Sequence, residues 1–216
     1  MKLTRVATSS LLVITVSLSG CAVFRSNDLP EAETLPGPAA SAQKPRAGYE
    51  FSSAVNMGNK NPAHENLRAK QEIEFAEVLR ESGYFAAVEK GSGKDVNISV
   101  ELVEKGNPAA IAAAVVTGLS LYTIPSWATV ELEATCRVTA ADGRTREYKM
   151  KDSATLVQWL PMMVVFPFKS FSEMEDLRKN LYRTLIVRMQ ADGILPKPGQ
   201  AARTSSILIQ FGSPTV

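Results

Sequence analysis

The chain contains 216 residues, 45% of them hydrophobic and 21% charged, which is enough to bury a core of ordinary size. Its 24 Lys and Arg nearly balance its 22 Asp and Glu, so it lacks the basic face that nucleic-acid binding requires. One His and two Cys are too few to assemble a zinc-type site. We therefore expect neither a nucleic-acid partner nor a bound metal.

Residues 1–20 show the order of features that is typical of a secretory signal peptide. Lys2 and Arg5 supply a positive start, and the uncharged run VATSSLLVITVSLSG follows. This run is shorter than the about 20 mostly apolar residues of a membrane-spanning helix, and Ser and Thr dilute it. It ends in Ser19 and Gly20, whose small side chains suit a peptidase cut. The sequence therefore predicts a cleaved signal peptide.

Leu18-Ser19-Gly20-Cys21 resembles a bacterial lipobox. The resemblance implies cleavage between Gly20 and Cys21, a diacylglycerol thioether on Cys21 and acylation, for example with palmitate, of the new amino group. This covalent lipid is the only cofactor we expect. In that family an Asp after the Cys favours the inner membrane, so Ala22 favours the periplasmic face of the outer membrane. The alternative is an ordinary signal peptide with a chance Cys.

A Pro-rich stretch follows the lipobox. Four prolines interrupt residues 21–46, at positions 30, 36, 38 and 45, and large apolar side chains are few. Such a segment cannot bury enough surface to fold. We predict a lipidated flexible tether over residues 21–46 and a single periplasmic domain over residues 47–216.

Hydrophobic spacing predicts strands and one long helix in the first half of this domain. Residues 48–58, 84–90 and 96–104 have strand character, and the GSGKD sequence between the last two predicts a turn. Asn61-Pro62 predicts the helix start and Gly83 its end. The expected core stripe comprises Leu67, Ala69, Ile73, Ala76 and Leu79, with Phe75 and Val78 beside it, and the expected solvent face carries the pairs Arg68–Glu72 and Lys70–Glu74.

The sequence TVELEATCRVTAADGRTREYKMKDS predicts a β-hairpin whose register can be derived. A three-residue loop ending at Gly143 places Cys136 opposite Tyr148, whereas a two-residue loop places it opposite Lys149. We favour the longer loop, because a slip by one residue inverts the faces of a strand. Gly143 should then adopt a left-handed conformation, and Cys136 should be a small buried hydrophobic residue.

The last predicted helix opens at Ser170 or Ser172 and ends at Gly193. Residues 205–211, SSILIQF, predict a closing strand.

Two uncharged segments flank the hairpin, at residues 106–130 and 153–168. The first can be helical from about residue 108 to 122, which is too short to cross a bilayer untilted. Ala110, Ala114 and Gly118 repeat every four residues, a spacing at which another backbone can approach closely. The candidate membrane or partner surface comprises Ile111, Val115, Leu119, Tyr122, Trp127 and Trp159.

Three interpretations of these segments remain open. They can cover the apolar face of the sheet as core, they can press on the leaflet that holds the anchor, or they can form a contact or insertion surface in an oligomer or transport machine. A large exposed apolar patch would mark a binding site.

Residues for catalysis are lacking. His64 is more typical of a solvated or capping residue than of a catalyst, and no Gly-x-Ser-x-Gly elbow accompanies it. GSGKD fails as a phosphate-binding loop, because Val88 stands where its first Gly is needed and Asp95 where Ser or Thr is needed. We expect no catalytic residue and no enzymatic activity.

The run FAEVLRESGYFAAVEKGSGKDVNISVELVE, residues 75–104, is similar to the helix–strand–strand unit of TolB-type amino-terminal domains. As a topology, residues 48–195 also resemble the periplasmic domains of the curli-secretion lipoprotein and of auxiliary lipoproteins of lipid transporters. The resemblance implies a mixed sheet with helices on one face. No functional residue of those families maps onto this chain beyond Cys21.

We therefore predict an α+β fold of two layers, in which a mixed, mostly antiparallel sheet carries two main helices on one face and an apolar insertion. The expected function is a non-catalytic binding or assembly component of the cell envelope. Its partners would be the membrane, through the anchor, and an envelope protein or a second copy. The alternative is a membrane-inserting or oligomeric subunit of a secretion or transport apparatus that uses residues 106–128 and 153–168 for contact.

Overall fold

The structure is a computed structural model that describes residues 21–32, 35, 37–39, 42–165 and 172–196, so the predicted signal peptide and closing strand lie outside the described residues. The strands are β1 (Cys21–Arg25), β2 (Arg46–Asn56), β3 (Lys60–Pro62), β4 (Ala87–Lys90), β5 (Val96–Gly106), β6 (Ser126–Thr139) and β7 (Thr145–Gln158). The helices are α1 (Glu65–Glu81), α2 (Ala109–Leu119) and α3 (Ser172–Ala191), with a short 3₁₀ helix at Leu160–Met163.

All seven strands form one mixed sheet in the order β1-β7-β6-β5-β2-β3, with β4 beside the start of β2. β2 runs parallel to β4 and β5, and the other pairs are antiparallel. The predicted α+β fold with a mostly antiparallel sheet is confirmed.

The core lies between the sheet and the helices α1 and α3. Phe75 of α1 packs edge-on against Tyr182 of α3, with ring centroids 5.1 Å apart, and lies 5.8 Å from the rings of Tyr49 and Phe51 on β2. Tyr49, Phe51 and Ser53 are all buried, as the alternation of β2 predicts.

The hairpin of β6 and β7 has the predicted register. Cys136 lies opposite Tyr148, and Ala140 and Arg144 close a three-residue loop through a backbone hydrogen bond of 2.9 Å. Gly143 has φ +83°, the left-handed conformation that glycine adopts without a steric cost. Cys136 is fully buried, and burial raises the pKa of its thiol to about 12.

The predicted start of the first helix is wrong. Asn61 and Pro62 belong to β3, which pairs with β2, and α1 begins three residues later. His64 is its N-cap, and Nδ1 of His64 accepts a hydrogen bond from the backbone N–H of Asn66 at 3.4 Å. The capping interpretation of the lone His is therefore confirmed, and Gly83, with φ +70°, follows the helix end as predicted.

The predicted faces of α1 are wrong at its centre. Ala69 and Ile73 of the expected core stripe are exposed, Ile73 by 58%, whereas Glu72 and Glu74 are buried. The expected pairs do form, at 4.0 Å between Arg68 and Glu72 and 3.7 Å between Lys70 and Glu74, but their carboxylates point inward. Glu74 has a partner on another helix, Arg178, whose Nε donates to Glu74 at 2.7 Å, and Glu72 pairs with Lys90 of β4.

The tether predicted for residues 21–46 is not a free coil at its start. Cys21–Arg25 form the edge strand β1, antiparallel to β7, and Ala22, Val23 and Leu29 are buried. The backbone N–H of Asp28 donates to Asp152 at 3.1 Å, and that of Ala32 donates to Asn180 at 2.8 Å. This segment belongs to the folded body over residues 21–32.

Candidate functional site

One end of the sheet is formed by residues without charge. β2 and β5 end there, β6 begins there, and β7 ends beside the first residue of β1. Gly106, the last residue of β5, pairs with Val130, so four residues of β6 project beyond it, about 13 Å at about 3.3 Å per residue. We call residues 21–24, 106–130 and 154–165 the uncharged end.

Helix α2 lies at this end beside β6, with most of its surface open. Of its eleven residues only Thr117 is buried. Ala110 and Ala114 border a cavity of about 200 Å³ between the helix and the sheet, and a side chain added at Gly118 would meet nothing within 4 Å. The close backbone approach that these small residues permit is thus not made within the described residues.

The outward face of α2 is apolar and open. Ile111 and Val115 are each 57% exposed, and Leu119 is 82% exposed. The interpretation of α2 as a cover for the apolar face of the sheet is therefore wrong. It holds for part of the second segment, where Ala154 is buried and Leu156 packs against the core.

The two uncharged segments pair along β6 and β7, where residues 126–130 lie opposite residues 154–158, and they meet again at a hydrogen bond beyond the strands. The backbone N–H of Leu160, in the 3₁₀ helix after β7, donates to the carbonyl oxygen of Tyr122 at 2.8 Å. Tyr122 and its neighbour Leu121 have φ of 62° and 53°, a left-handed conformation that costs about 1 kcal/mol or more at a residue other than glycine. The contact holds the loop after α2 against the end of β7.

Both tryptophans of the chain lie on this surface. Trp127 of β6 pairs with Val157 of β7. Trp159 lies two residues after Val157, in an extended conformation. Strand alternation therefore places the two tryptophans on one face, and both are exposed, Trp127 by 68%. Tyr122 is half-buried.

Six large apolar residues of this surface were not among the predicted ones. Phe24 lies on β1 and Val116 on α2, and the other four are exposed in the loop after α2 and around the 3₁₀ helix: Leu121, Ile124, Leu160 and Val164. The only signal of these four in the sequence is membership of an uncharged run, because no helical or strand periodicity marks a loop.

Cys21 occupies the first position of β1, beside Gln158, and is buried. Gln158 in turn pairs with Ser126, so Cys21 lies two strands, or about 10 Å, from the start of β6. The predicted lipid attachment point and the predicted apolar surface therefore lie at the same end of the sheet, although 85 residues or more separate Cys21 from α2 along the chain.

A belt of ion pairs marks the boundary of the uncharged end. It lies on the open face of the sheet, which is the face that α1 and α3 do not cover. Lys105 pairs with Glu133 across β5 and β6, and Lys151 pairs with Glu131 across β6 and β7 at 2.9 Å. The hydrogen bond from Lys151 lowers the pKa of Glu131 below its ordinary value. The open face thus changes from charged to uncharged within one or two residues along each strand.

The described residues offer little for other chemistry. They contain no group of three His, Cys, Asp or Glu that is placed to hold a metal ion, and no described helix is both long and apolar enough to cross a membrane. The GSGKD sequence is a turn between β4 and β5, in which the backbone N–H of Gly91 donates to the carbonyl oxygen of Tyr49.

Solved structures with a distant likeness to this chain include three bacterial proteins. A Xanthomonas campestris protein of family DUF330 is 12% identical, with a TM-score of 0.37 over 74% of this chain and 95% of its own. A minor lipoprotein from Acinetobacter baumannii is 13% identical, with a TM-score of 0.36 over 70% and 94%. The PelC dodecamer from Paraburkholderia phytofirmans is 12% identical, with a TM-score of 0.33 over 76% and 95%.

Likenesses at this distance carry no argument about the function of the chain. No protein-family model and no curated protein matches the sequence. The resemblance to TolB-type, curli-secretion and transport-auxiliary domains stays a prediction.

Proposed function

We propose that this protein is a lipoprotein, anchored through Cys21 at the periplasmic face of the outer membrane, and that it acts as a non-catalytic binding or assembly component of the cell envelope. The observation that carries the proposal is the place of Cys21. The Cys of the lipobox-like sequence is the first residue of an ordered strand, next to a surface without charge. An anchor there would set the whole domain directly on the membrane.

The non-catalytic part of the proposal rests on the residues that chemistry would need. The single His of the sequence caps α1, and Cys136 is a buried thiol whose pKa is raised to about 12, so it is not a nucleophile at neutral pH. The partners we propose are the membrane, through the anchor, and an envelope protein or a second copy of this chain.

Thiol counting tests the anchor without any assumption about the partner. The sequence has two cysteines, so the unfolded mature protein should titrate one thiol if Cys21 carries a thioether, and two if it does not. Mass spectrometry of the mature amino terminus should find an acylated Cys21, and Cys21→Ser should abolish labelling by radioactive palmitate. A free thiol at position 21, or labelling that survives Cys21→Ser, would contradict the proposal.

A second candidate function is a membrane-inserting or oligomeric subunit of a secretion or transport apparatus. The exposed face of α2 favours it, because a monomer that works alone in water has no use for an apolar helix with one buried residue. Crosslinking in cells separates the two candidates. Discrete homo-oligomers would favour the apparatus, and crosslinks to other envelope proteins alone would favour the binding component.

A further inference from the structure

We infer that the uncharged end is a membrane-contact surface, which lies in the interface of the same leaflet that holds the lipid on Cys21. The inference extends the proposed function, because the anchor alone says nothing about how the domain is oriented. Its occupant is a lipid leaflet, and a second copy of the chain is the competing outcome of the test.

The attachment point supplies the first argument. Cys21 is not separated from the domain by a coil, since it pairs with Gln158 as the first residue of β1. Acyl chains attached there would start at the edge of the uncharged end, about 10 Å from the first residue of β6. Insertion of those chains into a leaflet therefore brings Ser126 and its neighbours to the lipid headgroups.

The composition of the surface supplies the second argument. Leu119, Leu121 and Val164 are each exposed by more than three quarters. The same end carries two exposed tryptophans, and tryptophan side chains favour the boundary between water and hydrocarbon. Charged side chains on the open sheet face begin only at the belt of Lys105, Glu131 and their partners, where a headgroup layer would provide water and counterions.

The dimensions supply the third argument. Helix α2 has eleven residues, or about 16 Å of length, which is about half the thickness of a hydrocarbon core. A helix of this length and apolar character can lie in the interface plane, with its open face toward the acyl chains. Ile111, Val115 and Leu119 recur every four residues along that open face.

Intrinsic fluorescence tests the inference directly, because Trp127 and Trp159 are the only tryptophans of the chain. The mature lipidated protein would be reconstituted in vesicles of phosphatidylethanolamine and phosphatidylglycerol that contain lipids brominated on the acyl chains. We expect the emission maximum to shift to shorter wavelength and the bromines to quench the emission. Trp127→Phe and Trp159→Phe then assign the quenched signal to each ring.

A matched pair of variants ties the quenching to the uncharged end. Ile111→Glu introduces a charge at a 57% exposed isoleucine of α2, and Ile73→Glu introduces the same charge at a 58% exposed isoleucine of α1. Ile73 lies among Lys70, Glu74 and Glu77, away from the proposed contact. Ile111→Glu should reduce the quenching, and Ile73→Glu should leave it unchanged.

A chain without the anchor keeps the inference testable if lipidation itself fails. The mature chain with Cys21→Ser should still bind the same vesicles in flotation, and Ile111→Glu should weaken its partition at least about fivefold, since one apolar contact is lost and a charge must stay hydrated. The partition should be unaffected by Ile73→Glu.

The outcomes separate the inference from the proposed function. Vesicle-bound, lipidated protein with unquenched tryptophans would overturn the inference and leave the anchor standing. Unquenched tryptophans with shifted emission and concentration-dependent crosslinks would assign the surface to a second copy instead, which also overturns it. Quenching and flotation by the Cys21→Ser chain, with no lipid found on the native protein, would support the surface and contradict the anchor.

Discussion

Two regions of this molecule reverse the usual distribution of side chains. Between the two long helices and the sheet, Arg178 and Glu74 are buried, and Glu104 beside them is half-buried. At the uncharged end, Leu119 and Trp127 lie on the surface. The first region puts charge where apolar groups belong, and the second puts apolar groups where charge belongs.

The difference between the regions is whether the chain itself compensates the unusual placement. Arg178 donates two hydrogen bonds to Glu74, at 2.7 and 3.0 Å, and Gln71 donates one to Glu104 at 2.7 Å. These bonds offset the loss of hydration that burial imposes. The described residues give Leu119 and Trp127 no comparable partner, and the leaflet that we propose as occupant would supply their compensation.

The largest effect that this comparison predicts is at Arg178. Arg178→Met removes both hydrogen bonds to the buried Glu74, which keeps only the exposed Lys70, and it removes the cation beside the half-buried Glu104. Breaking a buried pair in this way costs about 3–5 kcal/mol of unfolding free energy. Urea denaturation followed by circular dichroism measures it. The control is Lys179→Met, which removes the partly exposed pair with Glu175 one residue along α3 and should cost less than about 1 kcal/mol.

Replacing Arg178, Glu74 and Glu104 together tests the compensation of these charges in a second way. Arg178→Met combined with Glu74→Leu and Glu104→Leu should recover most of the lost stability, because well-packed apolar groups can substitute for a buried ion cluster. Equal costs for Arg178→Met and Lys179→Met would show that the interior charges are hydrated, and the contrast between the two regions would disappear.

Truncation of two leucines compares the regions with a single chemistry. Leu181→Ala in α3 removes a fully buried side chain from between the helices and the sheet, and such changes cost about 2–5 kcal/mol. Leu119→Ala in α2 removes a side chain that is 82% exposed and should cost less than about 0.5 kcal/mol. Similar costs in denaturation experiments would mean that Leu119 packs against the chain after all.

Patterns among neighbouring residues predicted the parts of the fold that depend on neighbouring residues alone. The alternation from Val130 to Val138 and the loop ending at Gly143 were enough to derive the hairpin register, since a hairpin is set by its turn and its faces. The uncharged segments could also be identified from the sequence alone, because charged residues can be counted there directly.

Long-range partners explain what the sequence did not reveal. Glu74 is buried because Arg178 lies against it, 104 residues further along the chain, and no helical periodicity contains that fact. Cys21–Arg25 form a strand because β7 offers an edge about 130 residues away, whereas the prolines after them suggested a coil. The sequence of α2 likewise did not reveal that its large apolar side chains stay exposed beside β6.

A smaller effect is expected from pH, through Glu104. Burial raises the pKa of this carboxyl above its ordinary value, although Arg178 and the hydrogen bond from Gln71 oppose the rise. Its contribution to stability is therefore complete below about pH 4.5, where it is protonated in both states, and is lost as the pH rises through the raised pKa. Glu104→Gln cannot ionise, so its stability relative to the natural protein should increase toward neutral pH.

The belt at the uncharged end provides a control of opposite sign. The pKa of Glu131 is lowered by Lys151, so its contribution is present above about pH 4.5 and is lost as the pH falls. Glu131→Gln should therefore lose stability relative to the natural protein toward neutral pH. Urea denaturation across this pH range checks both, and parallel curves for Glu104→Gln and the natural protein would contradict the buried charge.

The smallest predicted effect on folding is also the most telling about the uncharged end. Leu119→Ser exchanges an 82% exposed leucine for a polar residue, and we expect the unfolding free energy in water to change by less than about 0.5 kcal/mol. Binding of the Cys21→Ser chain to vesicles should nevertheless weaken, because the leucine would be buried only in the leaflet. A matched exchange on α1, Ile73→Ser, should alter neither quantity. If Leu119→Ser left vesicle binding intact while destabilising the fold, the apolar side chains of the uncharged end would belong to the core. The two regions would then not differ in how their side chains are compensated.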